Sequence, residues 1–489
     1  MVAASLLGAV FLASHLALRF PQVQALYNVA EYKVITQWES WFGYREPDPG
    51  QVGSFEGTVR DTEGQPLPGA TVLVATRRGV TYATSTDAQG HYRIDEVPEG
   101  KYVPIAARWG YDEKTLKPVK IKSGQHRPGM DFAMSRTLPL PIATDDSLQI
   151  GEPERVWTSF PESAYATRRE FSFENDGHII TGCMVYEPVE MQGPFPTLVM
   201  LYPGPALNWE GASIPFVAQG YVVMATGPLE ERGKDVEGHV RDALKAVAFL
   251  KEGRLSGQAD TTRMGVLGGS FSSLILFRVL RHTDDLIAAV SVGGVSDVFL
   301  VLYDTYYQEG YQLRPDFDRI LMSLGRPNRH PENYLPNSAV FYYAAELPPL
   351  CLIHGVQDTT VLADQSIRLA DQLEALGKPC ELHLYPGTGH YPGVENPTPE
   401  TADMFEKILG FFDRYLKARD SQSLSEKSSG GGSHACPELV LSEACPELRR
   451  RVEGRSRRAA GCRAWEARPA IFRIDSRCPA FRQWPRWPC

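Results

Sequence analysis

The run Gly268-Gly269-Ser270-Phe271-Ser272 constrains the fold more than any other segment of the chain. Met264-Gly265-Val266-Leu267 precedes it and Leu274-Ile275-Leu276-Phe277 follows, so small residues bracket a serine between a buried strand and a helix. Such a turn lifts the hydroxyl clear of the sheet on a strained backbone, and its small neighbours keep strand and helix from colliding. By itself the pattern is weak, because most Gly-rich turns are only turns. Two later segments strengthen it. Ile353-His354-Gly355-Val356-Gln357-Asp358-Thr359-Thr360-Val361 sets a carboxylate just past another buried strand, and Tyr385-Pro386-Gly387-Thr388-Gly389-His390 sets an imidazole on a loop past the next. A hydroxyl, a carboxylate and an imidazole, each at the end of a strand, are what acyl transfer through serine needs: a nucleophile, a group that holds the base, and the base.

The 489 residues suffice for two or three domains, and a hydrophobic fraction of 43% provides for a large core. The net charge is −9, yet residues 431–489 carry twelve Arg, no Lys and six acids, a balance of +6 that leaves −15 on the remainder. An acidic body argues against a nucleic-acid partner, which needs a basic face. Of the eight cysteines, Cys183, Cys351 and Cys380 lie in the body and Cys436, Cys445, Cys462, Cys478 and Cys489 crowd the tail. No Cys/His spacing indicates a metal, and no motif indicates a cofactor. Cys351, within an apolar strand, reads as a buried small hydrophobe.

Residues 2–18 contain no charged side chain before Arg19. Residues 1–20 are therefore expected to be a signal peptide or membrane anchor, which places the protein outside the cytoplasm, secreted or membrane-anchored. An amphipathic stretch runs on to about Phe42, and Glu46-Pro47-Asp48-Pro49-Gly50 reads as a linker. Over residues 53–135, short alternating runs such as Phe55–Val59, Ala70–Val74 and His91–Ile94 are separated by Gly- and Asp-containing turns, the pattern of a small antiparallel β-sandwich. Over 165–418, strands alternate with helices, which predicts a mostly parallel, doubly wound sheet covered on both faces. An aromatic-rich insertion between Ser296 and Leu347 (Tyr303, Tyr306, Tyr307, Tyr311, Phe317, Tyr334, Phe341, Tyr342, Tyr343) reads as a cap over the site or, alternatively, as the core of scaffold helices. Residues 428–489 open on a Ser/Gly linker, repeat Ala-Cys-Pro-Glu-Leu at 435 and 444, and show no helical or strand period, the pattern of a low-complexity, disordered tail.

The order Ser, Asp, His past successive strands resembles the α/β-hydrolases. His354-Gly355-x-x-Asp358-x-x-Val361, Gly389-His390 and the lead-in Asn337-Ser338-Ala339-Val340 resemble the prolyl oligopeptidase family, and likeness to dienelactone hydrolases is about as good. The resemblance covers about half the chain and implies an α/β-hydrolase fold with Ser270 as nucleophile, His390 as base and Asp358 as its orienting acid. His354 and His383 are the competing imidazoles, Asp297 and Asp304 the competing acids. One oxyanion donor is expected from the backbone N–H of Phe271, the residue after the nucleophile. The loop Tyr202-Pro203-Gly204-Pro205 resembles the family's Tyr-x-Gly-Pro loop, which implies the Tyr202 hydroxyl as the second donor. Ser272 stands where the motif usually has glycine. The order Gly57-Thr58-Val59, Gly69-Ala70-Thr71-Val72, Asp87-Ala88-Gln89-Gly90-His91-Tyr92 and Pro98-Glu99-Gly100 resembles the carboxypeptidase regulatory-like domain, a transthyretin-like sandwich that is mostly extracytoplasmic. That resemblance leaves Asp87 and His91 as turn and surface residues.

These features point to a serine hydrolase acting on a small-molecule ester or peptide substrate. A peptidase that reads a substrate amine would need paired acids, for which Glu230-Glu231 is a weak candidate, and this tilts the expectation toward esters. The alternatives are a prolyl-oligopeptidase-like peptidase and a non-catalytic hydrolase-fold binding protein.

Overall fold

The computed structural model describes residues 21–42, 48, 50–159, 163–233, 235–307, 321–342, 346–390 and 398–417. The expected leader at 1–20 and the tail at 428–489 lie outside the described residues, as do Tyr311, Phe317 and Tyr343 of the insertion. The first described element is helix α1 (Pro21–Phe42).

Ten strands follow in the N-terminal unit: β1 (Val52–Asp61), β2 (Thr71–Ala75), β3 (Thr81–Ser85), β4 (His91–Pro98), β5 (Gly100–Tyr102), β6 (Ile105–Ala107), β7 (Lys114–Thr115), β8 (Val119–Ile121), β9 (His126–Arg127) and β10 (Phe132–Met134). β1 pairs with β4, β9 and β10, and a second sheet runs β3-β2-β6-β7. Phe55, Val59, Val72, Val74, Tyr92 and Ile94 fill the space between them. Asp87 accepts from the amides of Gln89 and His91 at 2.9 and 2.8 Å, which makes it a turn residue. β2 departs from the alternation expected of a half-exposed strand, because all five of its residues are buried. Val72 and Val74 face the sandwich core, whereas Leu73 and Ala75 face the cluster shared with the hydrolase helices. Both faces of β2 are thus covered, which is why Val72–Ala75 is a continuous apolar run.

The larger sheet contains β11 (Gln149–Ile150), β12 (Glu154–Thr158), β13 (Ala164–Asn175), β14 (His178–Pro188), β15 (Phe195–Leu201), β16 (Val222–Thr226), β17 (Ala259–Gly269), β18 (Leu286–Val292), β19 (Leu350–Gly355) and β20 (Cys380–Tyr385). Its order is β11-β13-β14-β16-β15-β17-β18-β19-β20, with β12 also on β13. The β13/β14 hairpin is antiparallel, and every pairing from β16 to β20 is parallel. Helices cover both faces. α2 (Glu210–Ala218) and the C-terminal helix of the described chain (Pro399–Phe412) pack on one, through Ile214, Phe216, Ile408 and Phe412. On the other face lie α3 (Val236–Lys251), α4 (Ser272–Leu280), α5 (Val298–Tyr307) and α6 (Asp364–Ala375). The chain runs from β15 to β16 on one side and from β17 to β18 on the other. The crevice at that reversal is where open α/β sheets bind ligands.

In the insertion, Phe299 stacks on Tyr334 with ring centroids 5.0 Å apart and meets Phe341 edge-on at 5.8 Å. These rings belong to the main core, so the scaffold reading holds for this part of the segment.

Candidate active site

Every polar side chain expected in the triad stands at the C-terminal end of a parallel strand. β17 delivers Ser270, whose φ of 51° lies in the left-handed region. That conformation costs a non-glycine residue about 1–3 kcal/mol. It is held by the bond from the Ser270 amide to the Val292 carbonyl, 3.0 Å, and by the Ser273 amide reaching back to the Ser270 carbonyl, 3.1 Å.

β19 ends in Gly355, and Asp358 follows in a tight turn. Asp358 Oδ1 accepts from the amides of Thr360 and Val361 at 2.8 and 2.9 Å, which fixes the carboxylate plane. Oδ2 accepts from His390 Nδ1 at 2.6 Å, and His390 Nε2 lies 2.9 Å from Ser270 Oγ. The structure therefore brings Ser270, His390 and Asp358 into one hydrogen-bonded line. Burial alone would raise the Asp358 carboxyl, but hydrogen bonds from His354 and His390 outweigh it and hold the group well below the usual carboxylate range. Asp358 stays ionised and can stabilise an imidazolium. Ser270 is 7% exposed and the His390 side chain 20%, so the open end of the line is the one that meets a substrate.

The glycines around His390 have a steric reason. A Cβ on Gly355 would come within 2.0 Å of the Gly389 carbonyl oxygen, so only glycine lets the histidine loop close over the end of β19. Gly293, at φ +55°, would put a Cβ 2.9 Å from the His390 carbonyl oxygen.

The competing groups are engaged elsewhere. His354 is fully buried, its Nδ1 2.7 Å from Ser366 Oγ and its Nε2 2.8 Å from the Val361 carbonyl and 3.3 Å from Asp358 Oδ2. It braces the acid from behind. Asp297 pairs with Arg368 at 2.5 Å and caps the amide of Leu300. Asp304 is buried on α5, where burial first, and then the charges of Asp364 and Asp297, push its carboxyl up to about 8. His383 lies 3.5 Å from Glu381. Cys351, Glu381 and His383 bring ligand atoms within 4.8 Å of one another, but Glu381 is already paired with Arg414 and burial drives the Cys351 thiol far up. Glu230 and Glu231 are both exposed.

Phe271 opens α4 as its N-cap residue, and its ring meets His239 edge-on at 6.1 Å. Tyr202 is bonded to a neighbouring serine. Its hydroxyl lies 2.8 Å from Ser213 Oγ on α2, its ring stacks on Trp209 at 5.2 Å, and the residue is only 4% exposed. Among the described residues no other group bonds that hydroxyl. The cause is packing: a tyrosine buried beside Ile214 and Phe216 needs a partner for its polar end, and Ser213 supplies one. Sequence reasoning did not find Ser213. Nor did it find a role for Ser272, whose hydroxyl donates to the Tyr202 carbonyl at 2.8 Å. The unusual serine in the motif was the available signal.

A mostly parallel α/β sheet with a serine on a strained strand-to-helix turn, and a histidine and aspartate on later loops, defines the serine-hydrolase class of the α/β-hydrolase fold. Within that class the profile of the prolyl oligopeptidase family matches residues 231–419, and that of the carboxypeptidase regulatory-like domain matches residues 54–135. The chain belongs to the prolyl oligopeptidase family. It is similar to dipeptidyl peptidase 8 of Mus musculus, 24% identical over 310 residues that cover 57% of this chain and 32% of the relative. It is also similar to the uncharacterized peptidase YtmA of Bacillus subtilis (strain 168), 30% identical over 193 residues, 38% of this chain and 71% of that protein. Among solved structures, the acylaminoacyl peptidase of Pyrococcus horikoshii is 17% identical with a TM-score of 0.43, covering 70% of this chain and 60% of that one. The chain spans about a third of the length of the dipeptidyl peptidase 8 relatives from mouse and human.

Proposed function

We propose that this protein is a serine hydrolase that cleaves short peptides, and simple esters by the same chemistry, through an acyl-enzyme on Ser270. The observation that carries the proposal is the continuous hydrogen-bonded line from Asp358 through His390 to Ser270. His390 Nε2 takes the Ser270 proton as Oγ attacks the carbonyl carbon, and Asp358 stabilises the imidazolium. The imidazolium then gives its proton to the leaving amine or alcohol, and water repeats the sequence to release the acid. The backbone N–H of Phe271 supports the oxyanion. Membership of the prolyl oligopeptidase family favours peptides over the ester preference drawn from the want of a well-placed acid pair.

The deciding experiment treats the purified full chain with a fluorophosphonate probe and assays it on peptidyl p-nitroanilides and p-nitrophenyl acetate. Labelling at Ser270 with turnover of both substrates is expected. Failure to label would favour a non-catalytic binding protein instead, and turnover of the ester alone would return the assignment to an esterase.

The protein acts outside the cytoplasm, held at a membrane through its N-terminus. Support comes from the charge-free residues 2–18 and from the regulatory-like sandwich. Among the described residues no helix is long and apolar enough to cross a membrane. Digestion of the hydrolase by protease added to intact cells is the expected result, and full protection would reject this localisation.

A further inference from the structure

Helix α1 exposes an apolar stripe and turns several of its polar side chains inward. A surface helix normally turns its apolar stripe to the core and its polar stripe to solvent. In α1, several of the polar residues face the protein. Asn28, 1% exposed, donates to the Ser323 carbonyl at 2.9 Å. Glu39 pairs with Arg77 at 3.2 Å, Glu31 pairs with Arg329, and the buried Tyr32 ring lies 4.9 Å from the Arg326 guanidinium.

The outward side carries Val23, Leu26, Tyr27, Val34, Trp38, Trp41 and Phe42. Leu26, Val34, Trp38, Trp41 and Phe42 are 60–70% exposed. Positions 23, 27, 30, 34, 38 and 41 follow the three- and four-residue spacing of one helical face, and Ala30 keeps that line free of charge. Of the 15 exposed large hydrophobic residues among those described, seven lie on this one helix, so the stripe is a surface feature and not ordinary scatter.

We infer that this face of α1 lies in the interfacial layer of a lipid bilayer. Two observations choose lipid over a protein partner. In the sequence the helix is preceded two residues earlier by residues 2–18, which contain no Asp, Glu, Lys or Arg. Its large residues also include two Trp and one Tyr, the side chains that settle where hydrocarbon meets headgroups. At about 1.5 Å per residue the helix is roughly 33 Å long, and its polar inner side holds it flat against the protein. Only Lys33 is an exposed cation on α1, so the attraction is apolar and extends to zwitterionic lipid. The inference rests on the membrane association proposed above.

The full chain, reconstituted with phosphatidylcholine liposomes, is first floated on a density gradient. Tryptophan emission of the wild type minus that of Trp38→Phe/Trp41→Phe then isolates the two stripe residues. Phosphatidylcholine brominated near the headgroup end of its acyl chains should roughly halve that difference emission, as expected for an interfacial helix. Protein that floats with the difference emission unquenched overturns the inference while leaving membrane association intact. A blue-shifted but unquenched difference also overturns it, because a second copy or another protein then covers the face. Failure to float at all removes the membrane reading itself. Trp38→Phe and Trp41→Phe singly give the same readout if the double variant does not fold.

Discussion

The hydroxyl of Ser272 donates to the main-chain carbonyl of Tyr202 across 2.8 Å, tying the first turn of the nucleophile helix to the loop that follows β15. Ser272 is fully buried. A glycine at this position, as is usual in the motif, has no hydroxyl to make the bond. Ser273 adds a second tie, with its Oγ 2.9 Å from Ser291 Oγ on β18. The turn that carries Ser270 is thus fastened to the strand on one side and to the loop on the other.

Ser272→Ala keeps the helix and removes only the tie to Tyr202. It should cost about 1–2 kcal/mol, the price of a buried carbonyl left without its donor. Turnover should fall about tenfold with KM little changed, because the turn and the loop lose their common reference. Urea unfolding and steady-state kinetics measure the two effects. Stability loss with unchanged kcat would make Ser272 a packing residue only.

Ser270→Ala should lower kcat by about four orders of magnitude or more and abolish fluorophosphonate labelling. The fold should be preserved, since alanine removes the reactive atom without adding bulk to a strained position. Near wild-type hydrolysis of p-nitrophenyl acetate by a folded variant would remove the assignment.

Tyr202→Phe separates two roles for one hydroxyl. With that group held by Ser213, the variant should keep kcat within about threefold of wild type and lose about 1 kcal/mol of stability. A fall of about 10²–10³ in kcat would show that the ring leaves Ser213 during turnover and donates to the oxyanion. Ser213→Ala serves as the control, because it removes the same bond from the other end.

Asp304 makes stability depend on pH. Burial raises its folded value to about 8 from 3.8, so the native state binds the proton more tightly than the unfolded chain. Its favourable contribution is complete below the unfolded value and is lost as pH rises toward about 8. Asp304→Asn should therefore flatten the decline of Tm over roughly pH 4–8. Parallel Tm profiles for variant and wild type would mean the carboxylate is already ionised at neutral pH. Asp358 has the opposite sign: its depressed value supports the fold above the ordinary carboxylate range and withdraws that support as pH falls.

The residues legible in the sequence were those whose placement depends on local chemistry. Ser270 sits on a turn made by its own neighbours. Asp358 is held by amides only two and three residues away, and His390 by a glycine loop that can approach Gly355. Tyr202 was not legible in the same way, because its direction is decided by Ser213 and Trp209, two side chains brought to it by α2 and the turn before it. The insertion misled for a related reason. Aromatic density does not distinguish a pocket wall from a core, and Phe299, Tyr334 and Phe341 pack on one another. The strand at β2 was read as alternating, because what covers its second face is a tertiary fact.

That second face makes the two units inseparable. Leu73, Ala75, Ile105 and Ala107 surrender their surface to the hydrolase side, while Arg281 reaches across to Glu113 at 2.6 Å and Val103 donates its amide to Asn328 at 3.0 Å. An excised hydrolase would present a naked apolar scar to water, and an excised sandwich would carry the matching one. Melting is then a joint event: calorimetry should record one transition for both units, and a recombinant catalytic fragment starting after residue 135 should precipitate.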